Sequence, residues 1–351
     1  MTDGRALAGA ILARRDDIAA RVTEEFLQNH PDWLTRYGDA ARTRGVEDAR
    51  FHIDFLAGAV QSGGEAAFRN YATWTARVLG SRGIDPDFLI ENLAGIGAEF
   101  ASSFDGDDTA SIDRLIAAAC QAVRERDAEA SPAPAGMDTD LRLYLDAILG
   151  GHRTAALNVA LELLRDGLSV PDVYTELLQA AQYEVGRLWE ENRISVSTEH
   201  MATAITQYVV AQLYSRMEIP DSTRGNAIVT GVEGELHQLG ANMVADVLEA
   251  DGWNVRFLGT QLPHRDVLQA IDAHEPALVG ISTTMLFNMP NVARLVEDVR
   301  RHAPGELQII VGGGAFRPRA DMWRDIGANG FARDLRDTVT LVRGLYTSPR
   351  E

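Results

Sequence analysis

The chain has almost no cysteine and few basic residues for its size. Cys120 is the single cysteine in 351 residues, so an internal disulfide is excluded and a reducing, cytoplasmic location is expected. The 51 acidic residues outnumber the 33 basic ones and give a formal net charge of −18. Nucleic acid and membranes are therefore not expected as partners, because both require a basic surface. No long uncharged apolar run predicts a transmembrane helix.

Several common site motifs are missing as well. The sequence has no GxGxxG or GxxxxGK[ST] spacing, so the known nucleotide-binding loops are not supported. It has no Cys-x-x-Cys pair for zinc and no G-x-S-x-G nucleophile elbow. None of these nucleotide, zinc or nucleophile sites is therefore expected.

The residue pattern divides the chain into four parts. Residues 1–126 show helical periodicity and predict an all-α domain of five or six helices, with breaks at Gly45, at Gly63-Gly64 and at Gly80 to Gly83. Residues 127–138 are small, polar and proline-containing, and predict a linker. Residues 139–222 predict a four-helix bundle. From residue 223 to 351, strands alternate with helices, which predicts an α/β domain.

The last part predicts a doubly wound, five-stranded parallel sheet of the flavodoxin-like (Rossmann) type. Short apolar runs bounded by turn residues mark its strands. The predicted strands are residues 226–230, 254–258, 278–282, 308–312 and 330–332.

A histidine follows the first predicted strand directly. His237 lies in a loop, with Glu235 two residues before it, Leu236 between them and Gly240 three residues after. A metal-binding histidine usually gives its second ring N–H to a carboxylate, so His237 is a candidate metal ligand backed by Glu235. The alternative is an ordinary loop histidine that pairs with a surface glutamate.

Small residues and hydroxyls lie at the carboxyl ends of the first, third and fourth strands, where open α/β sheets bind ligands. Together they predict a narrow slot for a flat ring or a nucleotide-like tail. These candidate residues are Gly231, Ser282, Thr284, Gly312 and Gly313.

One end of the predicted bundle carries a second candidate group. Trp189 closes the third bundle helix, and after nine further residues Glu199 and His200 open the fourth, where Ser197 or Thr198 is the expected cap. The indole offers an apolar face, and its neighbours offer hydrogen bonds. The alternative is that Trp189 covers the bundle core and Glu199 favours the helix N-terminus.

In the first domain, four residues are candidates for a chromophore pocket: His52, Tyr71, Trp74 and Arg77. Aromatic rings would stack on a flat conjugated ligand, and the arginine would pair with a carboxylate. The alternative is a buried core histidine beside a stripe of core aromatics.

The second half of the chain resembles the cobalamin-binding module, a four-helix cap followed by a flavodoxin-like domain. That family carries Asp-x-His-x-x-Gly, then Ser-x-Leu, then Gly-Gly, and this chain differs by having Glu235 for Asp and Thr284 for Leu. The resemblance implies that His237 replaces the cofactor's dimethylbenzimidazole as lower cobalt ligand (base-off, His-on). It also implies that the displaced tail enters the slot.

The spacing of Trp189, Glu199 and His200 is similar to that of CarH-type light-dependent cobalamin receptors, although Glu190 stands where those carry a histidine. The first domain resembles haem-free, globin-like sensor domains, and the combination resembles the photocobilins. The resemblance implies a light sensor, not an enzyme, that holds adenosylcobalamin and biliverdin. Light would break the Co–C bond and change the assembly of a homo-oligomer, a dimer, that signals to an unknown protein partner.

Two other functions remain open from the sequence. A corrinoid methyl carrier of a methyltransferase system has the same cap and the same loop histidine. A globin-like sensor for haem or fatty acid, attached to a degenerate α/β domain, is the third alternative.

Overall fold

The computed structural model divides the chain into two compact units. One comprises Met1–Glu129 with Met285–Pro290, and the other comprises Ala130–Thr284 with Asn291–Glu351. The predicted linker, residues 127–138, lies outside the described residues except for Asp138. The structure describes residues 4–62, 64–104, 106–125, 138–222, 224–303, 305, 307–319 and 321–347.

The described residues of the first unit form helices, as predicted, but they form seven rather than five or six. The periodic apolar residues from Leu7 to Phe26 belong to two helices, because the chain turns at Ala13 and Arg14 without losing the spacing. The helices are α1 (Gly4–Leu12), α2 (Arg15–Asn29), α3 (Pro31–Tyr37), α4 (Asp39–Ser62), α5 (Glu65–Ser81), α6 (Asp87–Ala101) and α7 (Gly106–Glu125).

The break predicted at Gly45 is wrong, because this glycine lies inside α4. A Cβ atom at Gly45 would lie 2.6 Å from the Thr23 methyl carbon on α2. The glycine therefore allows two helices to pack closely, and it does not end one of them.

The second unit begins with a helical bundle. A one-turn π-helical segment, Tyr174–Gln179, joins α10 to α11, so the third bundle helix is continuous from Val170 to Glu190. Ser195, rather than Ser197 or Thr198, caps the fourth helix, because its hydroxyl accepts the Thr198 N–H at 3.2 Å. The bundle helices are α8 (Thr139–Leu149), α9 (Arg153–Arg165), α10 (Val170–Val173), α11 (Ala180–Glu190) and α12 (Val196–Tyr214).

The prediction of a five-stranded parallel sheet is confirmed. The strand order is β2-β1-β3-β4-β5, and every neighbouring pair is parallel. The strands are β1 (Asn226–Gly231), β2 (Asn254–Gly259), β3 (Leu278–Ser282), β4 (Gln308–Gly312) and β5 (Gly330–Ala332). The helices that follow are α13 (Leu239–Ala250), α14 (His264–His274), α15 (Met289–His302), α16 (Met322–Asp325) and α17 (Leu335–Thr347).

The register of the sheet brings the ends of its central strands together. Gly231 pairs with Ser282, and Ser282 pairs with Gly312. The strand order reverses between β1 and β3, and ligands of open α/β sheets bind in the crevice outside such a switch point. The loops after β1, β3 and β4 therefore converge at one edge.

A buried carboxylate joins the bundle to α13. The Tyr174 hydroxyl donates to Asp246 Oδ2 at 2.8 Å, and Asp246 is only 7% exposed. Burial, opposed by this hydrogen bond and reinforced by the charge of Glu249, raises the pKa of Asp246 from 3.8 to about 6. The folded unit therefore favours the protonated acid, whose stabilising contribution is complete below pH 3.8 and is lost as the pH rises through about 6.

Asp246→Asn is expected to stabilise the second unit at pH 8, because the amide keeps the Tyr174 hydrogen bond and carries no buried charge. A gain of about 2 kcal/mol would raise Tm by roughly 5 °C. Thermal melts at pH 8 and pH 5 should show a smaller difference between variant and wild type at pH 5. An equal difference at both pH values would contradict this assignment.

Among the described residues, no helix combines the length and the apolar character needed to cross a membrane.

Candidate functional site

The loop after β1 presents His237. Its side chain is 55% exposed, and the loop turns at Gly234, whose φ is +88°. The Gly234 N–H donates to Gln261 Oε1 at 2.9 Å, which ties this turn to the loop after β2. His237 therefore stands on a fixed loop and remains accessible.

Glu235 fixes the orientation of the His237 ring. Its side chain is fully buried, and its Oε1 lies 2.5 Å from His237 Nδ1 and accepts the His237 backbone N–H at 2.9 Å. Its Oε2 accepts the Thr284 backbone N–H at 2.7 Å, so one carboxylate joins the loops after β1 and β3. With Nδ1 held by the carboxylate, Nε2 is the ring nitrogen left for a metal.

Glu235 and His237 each stabilise the charged form of the other. The hydrogen bond to Glu235 raises the pKa of His237 above its usual value of 6.5, although burial opposes the shift. Burial alone would raise the pKa of Glu235, but the hydrogen bonds from His237 and Thr284 outweigh it and lower that pKa. Because a metal binds the neutral imidazole, ligation through His237 should strengthen as the pH rises through its raised pKa.

A large cavity of about 940 Å³ opens beside His237. It runs over strand residues such as Val229, Gly280 and Ile310, and α13 and α17 contribute Met243 and Leu335 to its lining. Gly280 carries no side chain, which leaves space above the middle of the sheet. The cavity is thus a crevice between sheet and helices that opens at the strand ends.

Besides Leu236 and His237, five predicted residues of the loop and the strand ends line this cavity: Gly240, Ser282, Thr284, Gly312 and Gly313. Gly313 has a φ of +101°, and a Cβ there would lie 2.2 Å from the Thr283 carbonyl oxygen. A Cβ at Gly240 would meet no atom within 4 Å, so this position is open. Only glycine allows the loops after β3 and β4 to approach this closely at Gly313.

Gly231 does not line the cavity. A Cβ at this position would lie 2.6 Å from the Thr260 methyl carbon, so the glycine makes room for the loop after β2. Gly231 therefore has a packing role in this structure, and its contact with a cofactor stays a prediction.

The bundle forms the opposite wall of the cavity. Trp189, Glu199 and His200 all line it. The Glu199 carboxylate lies 2.5 Å from His200 Nδ1 and accepts the Thr203 hydroxyl at 3.1 Å. The structure therefore places the candidate residues of the bundle and of the sheet on one cavity.

Several lining residues were not predicted. Gln179, Gln182, Tyr183 and Gly186 share one helical face with Trp189, and this spacing was the available signal. Arg317, which follows the glycine run after β4, also lines the cavity, and no residue pattern pointed to it.

The cavity fits a macrocyclic metal cofactor better than a free ion. No group of three or more metal-binding side chains comes together within the described part of the chain. A corrin brings most of the ligands of its own metal, so a single protein ligand would suffice, and His237 Nε2 would be that ligand. Leu236, which precedes His237 in the chain and also lines the cavity, is 71% exposed and offers an apolar surface for the ring to cover.

The candidate chromophore residues of the first unit have ordinary core environments. His52 and Tyr71 are buried, with Nδ1 of the histidine 2.5 Å from the tyrosine oxygen, and Phe55 stacks on Tyr71 at 3.7 Å. Burial lowers the pKa of His52 to about 4, so the ring is neutral. Trp74 and Arg77 are half-buried. This arrangement matches the alternative of a core histidine in an aromatic stripe.

Residues 225–340 match a family model described as B12 binding domain, and residues 141–214 match a second model of the same description. Dimethylamine corrinoid protein 1 of Methanosarcina acetivorans is 26% identical over 193 residues, which cover 54% of this chain and 90% of that protein. Trimethylamine corrinoid protein 1 of the same organism is 24% identical over 207 residues, which cover 57% of this chain and 94% of that protein.

A solved structure has the same fold. The Methanosarcina barkeri monomethylamine corrinoid protein covers 57% of this chain and 96% of its own, with 21% identity and a TM-score of 0.51. The two domain matches support a cobalamin-type corrinoid as the cofactor of this chain.

The expectation of a light-sensing photoreceptor is wrong. The relatives that the chain matches are methylamine corrinoid proteins, and these favour the methyl carrier that the sequence had left as an alternative. Neither biliverdin nor a globin-like first unit gains support from these comparisons, and the adenosyl form of the cofactor remains a prediction.

Proposed function

We propose that this protein is a corrinoid methyl carrier of a methyltransferase system. The observation that carries the proposal is the similarity to dimethylamine and trimethylamine corrinoid proteins over more than half of the chain. The cavity supports it, because a carboxylate-backed histidine and an exposed leucine line one wall and the bundle forms the other. The cobalt of a bound corrin would accept and release the methyl group.

The residues of the chain would hold and orient this cofactor. His237 would ligate the metal from below through Nε2, and Glu235 would fix the ring and take up its charge. Ser282, Thr284, Gly312 and Gly313 would border the slot for the nucleotide tail. On the bundle wall, Trp189 would shield the upper face from water, with Glu199 and His200 at its polar edge.

A carrier exchanges methyl groups with separate enzymes, so the proposal implies protein partners that deliver and remove the group. A homo-oligomer remains a prediction. The formal net charge of −18 would suit partners that carry basic docking surfaces.

Binding of methylcobalamin at least as tight as that of adenosylcobalamin is the expected result, because a methyl carrier has no use for contacts to a large upper ligand. The measurement is titration of the full-length protein with each cofactor in the dark, followed by absorbance, with hydroxocobalamin as the reference. A preference for adenosylcobalamin of about tenfold or more, which is 1.4 kcal/mol, would contradict the proposal.

A further inference from the structure

An arginine and a tyrosine meet at the rim of the cavity. Arg317 follows the glycine run after β4, and Tyr183 lies on α11, where it is 53% exposed. Arg317 Nη2 donates to the Tyr183 hydroxyl oxygen at 2.5 Å, and the guanidinium carbon lies 5.1 Å from the ring centroid. The Gln179 amide donates to the same hydroxyl at 2.9 Å. The guanidinium is therefore held in place by uncharged partners.

Arg317 contacts Tyr183, and within the described part of the chain no carboxylate forms an ion pair with this arginine. Arg333, which also lines the cavity, pairs with Asp337 at 3.1 Å. In a protein with a net charge of −18, a positioned arginine without an acidic partner is an open site for an anion.

The cofactor has one group that suits this site. The side chains around the corrin of cobalamin are uncharged amides, whereas its nucleotide loop contains a phosphodiester. The slot proposed for the tail is bordered by Gly312 and Gly313, on the same loop as Arg317. We propose that Arg317, held by Tyr183, binds this phosphodiester and makes the site selective for corrinoids with a complete nucleotide loop. This inference rests on the corrinoid site of the proposed function, but it is independent of methyl transfer.

The test compares two ligands that differ in the nucleotide loop. Hydroxocobalamin carries the phosphodiester, and aquacobinamide lacks the whole loop. Arg317→Ala is expected to weaken hydroxocobalamin binding by about tenfold, the range of a charge-assisted contact, and to leave aquacobinamide binding within about twofold. Arg317→Lys should cause an intermediate loss of hydroxocobalamin affinity, because lysine keeps the positive charge but lacks the paired N–H donors of a guanidinium.

The matched control is Arg324→Ala. Arg324 also lies over an aromatic ring, 4.4 Å from the centroid of Trp323, but it does not line the cavity. Its replacement should change neither affinity. Tyr183→Phe removes the hydroxyl but keeps the ring, and it should reproduce part of the Arg317→Ala effect on hydroxocobalamin only.

Two outcomes would overturn the proposal. Equal losses for both corrinoids in Arg317→Ala would mean that the arginine only joins the bundle to the sheet domain. An unchanged hydroxocobalamin affinity would mean that the arginine does not contact the cofactor. Because both measurements report binding alone, they remain decisive even if the protein proves to carry no methyl group.

Discussion

Replacing His237 with alanine is expected to weaken hydroxocobalamin binding by about 100-fold or more. Loss of residues that merely orient a ligand costs about 10- to 100-fold in metal affinity, and His237 is the proposed ligand itself. Any cofactor that still binds should keep its own benzimidazole on the cobalt, because no protein nitrogen replaces it. Equilibrium titration gives the affinity, and the absorbance spectrum at acid and neutral pH reports the lower ligand.

His302→Ala is the control for this variant. His302 also pairs with a carboxylate, at 2.7 Å from Asp272, but it lies on α15 and does not line the cavity. We expect its replacement to leave affinity and spectrum unchanged. If His237→Ala bound the cofactor with an unchanged affinity and spectrum, the proposed ligation would be wrong.

The second large effect is expected from Glu235. In Glu235→Ala the backbone N–H groups of His237 and Thr284 lose their buried acceptor, which should destabilise the unit by about 2–3 kcal/mol. The imidazole also loses the group that orients it, so cobalamin affinity should fall by about 10- to 100-fold. Denaturant unfolding of the apoprotein and cofactor titration measure the two effects separately.

Glu235→Asp separates the two hydrogen-bonding roles of this carboxylate, one toward His237 and the other toward Thr284. The side chain is shorter by one methylene, so it should keep the bond to His237 at the cost of the bond to Thr284. We therefore expect cobalamin affinity to fall by about tenfold, the lower end of the range expected for Glu235→Ala. Glu233→Ala, an exposed glutamate in the same loop, should change neither stability nor affinity. If Glu235→Ala changed stability and cobalamin affinity as little as Glu233→Ala, the proposed support of His237 by Glu235 would be contradicted.

The sheet was predictable because its strands are short apolar runs that end in glycine or hydroxyl residues, a local signal that tertiary contacts did not override. The helix boundaries of the first unit were harder to predict from the sequence. The apolar spacing from Leu7 to Phe26 continues across the turn at Ala13, and Gly45 serves a contact with Thr23 that lies 22 positions earlier in the chain. Such long-range contacts leave no periodic pattern.

The candidate site shows the same limit. Glu235 stands where the family pattern has Asp, and its side chain reaches the backbone of Thr284, 49 residues away, a contact that no local pattern predicts. Arg317 and Tyr183 lie 134 residues apart, and no spacing connects them. The functional interpretation failed for a related reason, because Trp189, Glu199 and His200 define a cavity wall that does not specify the chemistry of its occupant.

The central claim is that an imidazole nitrogen of the protein, rather than the benzimidazole of the cofactor, lies beneath the cobalt. Electron paramagnetic resonance of the cob(II)alamin form tests it directly, with histidine labelled by ¹⁵N and the cofactor left unlabelled. Ligation by His237 predicts that the ¹⁴N superhyperfine triplet becomes a doublet on labelling. A triplet that survives labelling would show that the benzimidazole remains bound and would contradict the account.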